Sequence, residues 1–263
     1  MTILQAGAST LYYELHDAAP HRERPTLVLL HGVGGNHASW FQQVTAWRDR
    51  YRLLVVDARG FGNSVDAEGA GRDRFVADLA AVLDAAQVGK AVFIGQSMGG
   101  GTALSLSCMQ PERVAALVLA DTLFGVALPD GVRERMAALT ERNAALTQVQ
   151  RVLGPTCMRE RPEMATLYTT LASFNRVNVK TLKGTQALHT PQALAATGLP
   201  VLFLVGEEDV LFPPDEVQAV QAQVDGSDFV VLPASGHSAY FETPLAFNEA
   251  VLGWLSRRGI ALA

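Results

Sequence analysis

Three residues able to do acyl-transfer chemistry each stand directly behind a stretch of buried-strand character. Ser97 lies in Gly95-Gln96-Ser97-Met98-Gly99, a G-x-S-x-G run that follows the apolar AVFI stretch and opens a small-residue-rich helical stretch. A sharp strand-to-helix turn holds such a serine in a strained backbone conformation and pushes its hydroxyl outward. The flanking glycines remove side chains that would collide, and the helix start adds free N–H groups and positive dipole. A serine hydroxyl is a weak nucleophile without a base. His237, in Ala234-Ser235-Gly236-His237 behind the FVVL stretch, is the base candidate among six histidines. The base needs an acceptor on its second ring nitrogen, to fix the tautomer and stabilise the imidazolium. Asp209, in Gly206-Glu207-Glu208-Asp209 behind VLFLV, is the carboxylate expected there; Asp121, Glu207 and Glu208 are its competitors.

The oxyanion of a tetrahedral intermediate needs preorganised donors. His31-Gly32-Val33-Gly34-Gly35 follows TLVLL, and its glycines let the backbone curl toward the serine. The expected donors are the backbone N–H groups of Val33 and of Met98, the residue after the nucleophile. His31 reads as a structural post for this loop rather than a second base. A glycine-rich loop behind a strand can also cradle phosphate, but this one carries neither G-x-G-x-x-G nor a P-loop lysine pattern.

These residues require a scaffold that brings several strand ends to one edge. Continuous apolar runs at 26–30, 52–56, 91–94, 114–119, 201–205 and 229–232 predict strands, with a short hairpin pair ahead of them ending at 11–15. Helical spacing predicts helices at 39–48, 73–86, 98–109, 214–224 and 244–255. Alternation of this kind builds an α/β fold with a mostly parallel sheet flanked by helices, and ligands bind beyond the carboxyl ends of its strands. Residues 123–198 break the rhythm, with helical segments at 132–141 and 163–173 punctuated by Gly154-Pro155 and Pro162. The expected organisation is a core of 1–122 and 199–263 with a helical cap of 123–198 inserted after the sixth strand.

The chain has 263 residues, 49% of them hydrophobic, which suits one large domain with a sizeable core. The net charge of -5, with no Lys/Arg run and no basic aromatic stripe, excludes a nucleic-acid partner from the expectations. No apolar run approaches the ~20 residues of a membrane helix, so no membrane partner is expected. The N-terminal stretch lacks a basic region followed by a continuous apolar one, so no signal peptide is expected and the location expected is cytoplasmic. Cys108 and Cys157 are expected as free thiols, and no metal or cofactor is expected.

With HGVGG and the nearby Trp40, DARGFGNS at 57–64, GQSMGG, LVGEED and SGHSAYFETP, the chain resembles the α/β-hydrolase superfamily over nearly its whole length. The order Ser97, Asp209, His237 is the one that fold expects. DARGFGNS is similar to the family's structural turn, so Asp57 and Arg59 are given no catalytic role. Serine at position 97 argues against dehalogenases, which use aspartate. Hydrolases of the C–C bond in ring-cleavage products share the S-M-G-G turn and a helical cap, but usually carry tryptophan where this chain has Ser238. The resemblance implies a serine hydrolase acting on a small carboxylic ester or lactone. The alternatives are a C–C hydrolase, a cofactor-free perhydrolase or haloperoxidase, and a ligand-binding signalling protein on a hydrolase scaffold. Trp40, Phe124, Phe174 and Arg176 are the expected pocket walls. Nine Lys/Arg against five Asp/Glu in 123–198 make that segment basic within an acidic chain; solvated helix faces are the expected reason, and steering of an anionic substrate is the alternative.

Overall fold

The β-branched and leucine runs become the inner strands of an eight-stranded sheet in the computed structural model, which describes residues 1–17 and 24–260. His21 lies outside the described residues. β1 (Thr2–Ala6) and β2 (Ser9–His16) form the hairpin, and β2 pairs antiparallel with β4 (Arg52–Val56). The others, β3 (Thr26–Leu30), β5 (Ala91–Gln96), β6 (Val114–Ala120), β7 (Val201–Gly206) and β8 (Asp228–Leu232), run parallel to β4. Their order is β1-β2-β4-β3-β5-β6-β7-β8. Every residue of β3, β5 and β7 is buried, as strands covered on both faces must be.

The period-two alternation of each strand divides its side chains between two cores. Val28 and Leu30 join α2 (Phe75–Ala85), α3 (Met98–Met109) and α9 (Pro214–Gln221) on one face. Leu27 and Leu29 join α1 (Phe41–Trp47) and α11 (Pro244–Arg257) on the other. A short α10 (Ala239–Glu242) precedes α11.

From β3 the chain crosses to β4, and from β5 it crosses the opposite way to β6. The connections therefore diverge between β3 and β5, which opens a crevice beyond their carboxyl ends. The loop 31–35 and Ser97 both emerge there.

Five helices lie between β6 and β7: α4 (Asp130–Arg142), α5 (Gln148–Val152), α6 (Pro155–Glu160), α7 (Glu163–Ala172) and α8 (Pro191–Ala195). The sequence pattern predicts α4 and α7 but not α5, α6 and α8, which are too short to display a helical period. The helix expected over 39–48 divides into a 3₁₀ turn, His37–Trp40, and α1, because the Asn36 side chain accepts the Ala38 N–H at 3.0 Å and starts the turn early. Among the described residues no helix is long and apolar enough to cross a membrane.

Candidate active site

Ser97 sits between β5 and α3 with φ 51° and ψ -122°, a left-handed conformation that a non-glycine residue holds only under constraint. The constraint comes from β6 and the loop after it. Ser97 N–H donates to Ala120 O at 3.0 Å, and the Thr122 hydroxyl donates to Ser97 O at 2.8 Å. Gly99 permits the helix to start hard against β3: a Cβ there would lie 2.4 Å from Leu30 O.

The Ser97 hydroxyl lies 2.9 Å from His237 Nε2, and His237 Nδ1 lies 2.9 Å from Asp209 Oδ2. All three residues are buried. The second Asp209 oxygen accepts the N–H groups of Leu211 and Phe212 at 2.7 and 3.0 Å, which aims the first at the ring. The competing carboxylates are occupied elsewhere. Asp121 accepts the Gly206 and Ala239 N–H groups at 2.8 and 3.1 Å, Glu207 the Ala234 N–H at 3.4 Å, and Glu208 the Thr156 N–H at 3.0 Å. Burial opposes charge on His237, but Asp209, with help from Asp121 and Glu242, outweighs it and holds the imidazole pKa above its ordinary value. Burial first, and then the neighbouring Asp209, push the Asp121 carboxyl well above the carboxylate range.

The glycine loop passes beside the nucleophile, since a Cβ on Gly32 would meet Ser97 Cβ at 2.8 Å. His31 is buried and its pKa is lowered by burial, so it is neutral. Its Nε2 accepts the Ala58 N–H at 3.0 Å, so the proton is on Nδ1, which donates to Gly32 O at 2.8 Å. From α7 the Tyr168 hydroxyl donates to Val33 O at 3.2 Å, and burial pushes its pKa up to about 12. Just beyond α7, Asn175 donates to Gly35 O at 3.1 Å and accepts the Gly62 N–H at 2.9 Å.

Met98 is buried in an apolar cluster with Phe61 and Phe75, against which Val33, Val177 and Leu182 pack. Phe124 stands edge-on to Phe212 at 5.3 Å, and the Phe212 ring lies 5.6 Å from the His237 ring. Two expected pocket walls are elsewhere. Trp40 is wholly buried against Tyr240 at 4.2 Å, because the capped turn faces it into the core beside α11. Phe174 points to solvent with 65% of its surface exposed, since it follows the last turn of α7 on its open side. Arg176 is exposed and holds Gly60 O through its backbone N–H at 3.2 Å. In the turn at 57–64, the Asp57 carboxylate accepts the His37 and Asn63 N–H groups, and Arg59 is bidentate to Asp78 at 2.7 Å.

The sequence reading passed over Gln96, Phe212, Tyr168 and Glu242. Glu242 left one signal, a carboxylate inside the apolar SAYFETP stretch, where it is now wholly buried. Among the described residues no group of three or more His, Cys, Asp or Glu could hold a metal ion.

The alpha/beta hydrolase fold family model matches residues 25–244. A 3-oxoadipate enol-lactonase 2 from Acinetobacter baylyi is 30% identical over 89% of this chain and 90% of its own length. A hydrolase from Pseudomonas aeruginosa PA01 superposes with a TM-score of 0.78 at 28% identity, covering 97% of each chain. A thermophilic esterase from Thermogutta terrifontis gives 0.75 at 25% identity, over 95% of this chain and 94% of that one. A turn of this geometry between β5 and α3, on a sheet of this order, together with a family match over most of the chain, settles the assignment: the protein belongs to the alpha/beta hydrolase fold family.

Proposed function

We propose that the protein is a serine hydrolase that cleaves a small carboxylic ester or lactone through an acyl-enzyme on Ser97. The observation that carries this reading is the continuous line from Ser97 Oγ through both His237 nitrogens to Asp209, each link 2.9 Å long. His237 Nε2 takes the hydroxyl proton as Oγ attacks the carbonyl carbon, and Asp209 stabilises the imidazolium. The tetrahedral oxyanion is received by the backbone N–H groups of Val33 and Met98, each worth roughly 10²–10³ in rate where such donors have been removed. His31 serves the first of these donors. It binds Gly32 O, the opposite edge of the peptide plane that carries the Val33 N–H, and so fixes where that N–H points. The imidazolium returns its proton to the leaving alkoxide. A water activated by His237 then hydrolyses the acyl-enzyme and regenerates Ser97.

The segment 123–198 serves as a cap. Tyr168 and Asn175 reach from it onto the glycine loop. Phe124 and Phe212 beside His237, and Val33 and Met98 on the opposite side, supply apolar walls suited to a small acyl or lactone ring. The enol-lactonase and esterase relatives support this substrate class.

Assay of p-nitrophenyl esters, simple lactones and ring-cleavage products tests the reading. Esters or lactones should be turned over, a fluorophosphonate should label Ser97, and Ser97→Ala should lose turnover by at least about 10³ while staying folded. Turnover retained by purified Ser97→Ala would sink the nucleophile assignment. Cleavage confined to the ring-cleavage products would move the reading to C–C bond hydrolysis.

A further inference from the structure

His237 is held by more than its ring. Its carbonyl accepts the Gln96 side-chain N–H at 2.6 Å, and at the other edge of the same peptide Ser238 N–H donates to Glu242 Oε1 at 3.1 Å. A trans peptide is a rigid plane, so fixing both edges fixes its orientation. The same glutamate oxygen accepts the Gly236 N–H at 3.0 Å, on the opposite side of His237. The second oxygen accepts the Gly154 N–H at 2.7 Å, where α6 begins. Arg161, behind α6, donates to the Glu242 carbonyl. The two backbones meet without room for side chains, since a Cβ on Gly236 would fall 2.4 Å from Gly154 N. Burial pushes the Glu242 carboxyl above its ordinary value, and the three N–H donors that converge on it oppose that shift by favouring the ionised form.

We propose that Glu242 is a positioning residue that fixes the Ser235–Gly236 and His237–Ser238 peptides and ties them to α6, so that the segment between β6 and β7 sets the aim of the base at Ser97. This rests on the reading of Ser97 and His237 as nucleophile and base. His237 is faced by Asp209 behind β7, Asp121 behind β6 and Glu242 on α10, and each carboxylate favours the imidazolium. Glu242 is faced by Asp209, by Cys157 and Arg161 of the α6 region, and by Tyr168 and Tyr240.

The test follows the His237 ring titration by NMR on histidine-labelled protein without substrate, and measures kcat and KM on p-nitrophenyl acetate. Glu242→Gln keeps the shape, removes the charge and sets an amide against one of the three N–H donors. It should lower the His237 pKa measurably, and kcat roughly tenfold with KM changed less than about twofold. Glu242→Asp keeps the charge but withdraws the carboxylate by one methylene. It should hold the pKa near that of the unaltered protein and still lose kcat. If Glu242→Gln does not fold, the kcat loss of a folded Glu242→Asp carries the test. A folded Glu242→Gln with unaltered pKa and kcat would overturn the proposal, as would a Glu242→Asp variant that loses only thermal stability. Turnover by Ser97→Ala would remove the nucleophile reading alone, because the ring titration is read without catalysis.

Discussion

At the scale of the residue, the site is a contest among carboxylates that geometry decides. Asp209 turns one oxygen to backbone N–H groups and the other to His237, whereas both Asp121 oxygens are taken by the backbone. Asp209→Asn is therefore expected to lower kcat by about 10² to 10⁴, and Asp121→Asn by less than about tenfold, with folding checked by circular dichroism. The pH dependence carries the same signature. On the proposed mechanism neutral His237 is the active form; its pKa is raised by Asp209, so kcat/KM should climb with pH through a midpoint above the ordinary value of about 6.5. Asp209→Asn removes the main anion that raises it, and the midpoint should fall. A crippled Asp121→Asn beside a nearly normal Asp209→Asn would transfer the role. The sequence made the Asp209–His237 pairing legible because each residue follows a strand directly. It hid Glu242, whose partners Gly154 and Gly236 are 88 and 6 positions away, at distances no periodicity encodes.

At the scale of the element, the strained serine turn depends on how tightly α3 starts against β3. The Gly99 Cα faces Leu30 O and His31 O, both backbone atoms that cannot rotate aside. Gly99→Ala should destabilise the fold by about 2–4 kcal/mol, read as a lower denaturant midpoint at unchanged slope. A variant with the stability of the unaltered protein would mean that β3 can yield. The strands themselves were readable, because full burial demands uninterrupted apolar runs. The 3₁₀ turn ahead of α1 was not, because it is set by one Asn36 hydrogen bond, and with it went the placement of Trp40. The exposure of Phe174 is hidden for a related reason: an aromatic in a helical segment does not announce which side of the helix it leaves from.

At the scale of the molecule, stability is unevenly distributed. The sheet is packed on both faces by two large cores, while α4, α5, α6 and α7 bury one residue each: Val132, Val152, Cys157 and Tyr168. Regions with few buried contacts open locally at lower free energy than the global transition. Hydrogen exchange followed by mass spectrometry should therefore protect β3, β5, β6 and β7 longest and release α4 first. Within 123–198, α6 should exchange more slowly than α4, because its start is held by Glu242 and Glu208. Equal protection across the segment and the sheet would contradict this ranking.

The meeting of Gly154 and Gly236 bears on how such a protein can acquire new selectivity. A chimera that takes its entire 123–198 stretch from another hydrolase exchanges its helices together with the partner of the histidine loop. Unless the donor also has a glycine at the meeting point, its first side chain there strikes Glu208 or the Gly236 backbone. A graft that retains 154–161 from this chain and exchanges the helices on either side leaves that junction whole. The same geometry divides the segment for natural divergence: α4 takes no part in this junction, while 154–161 is tied to the histidine loop and α7, through Tyr168, to the glycine loop.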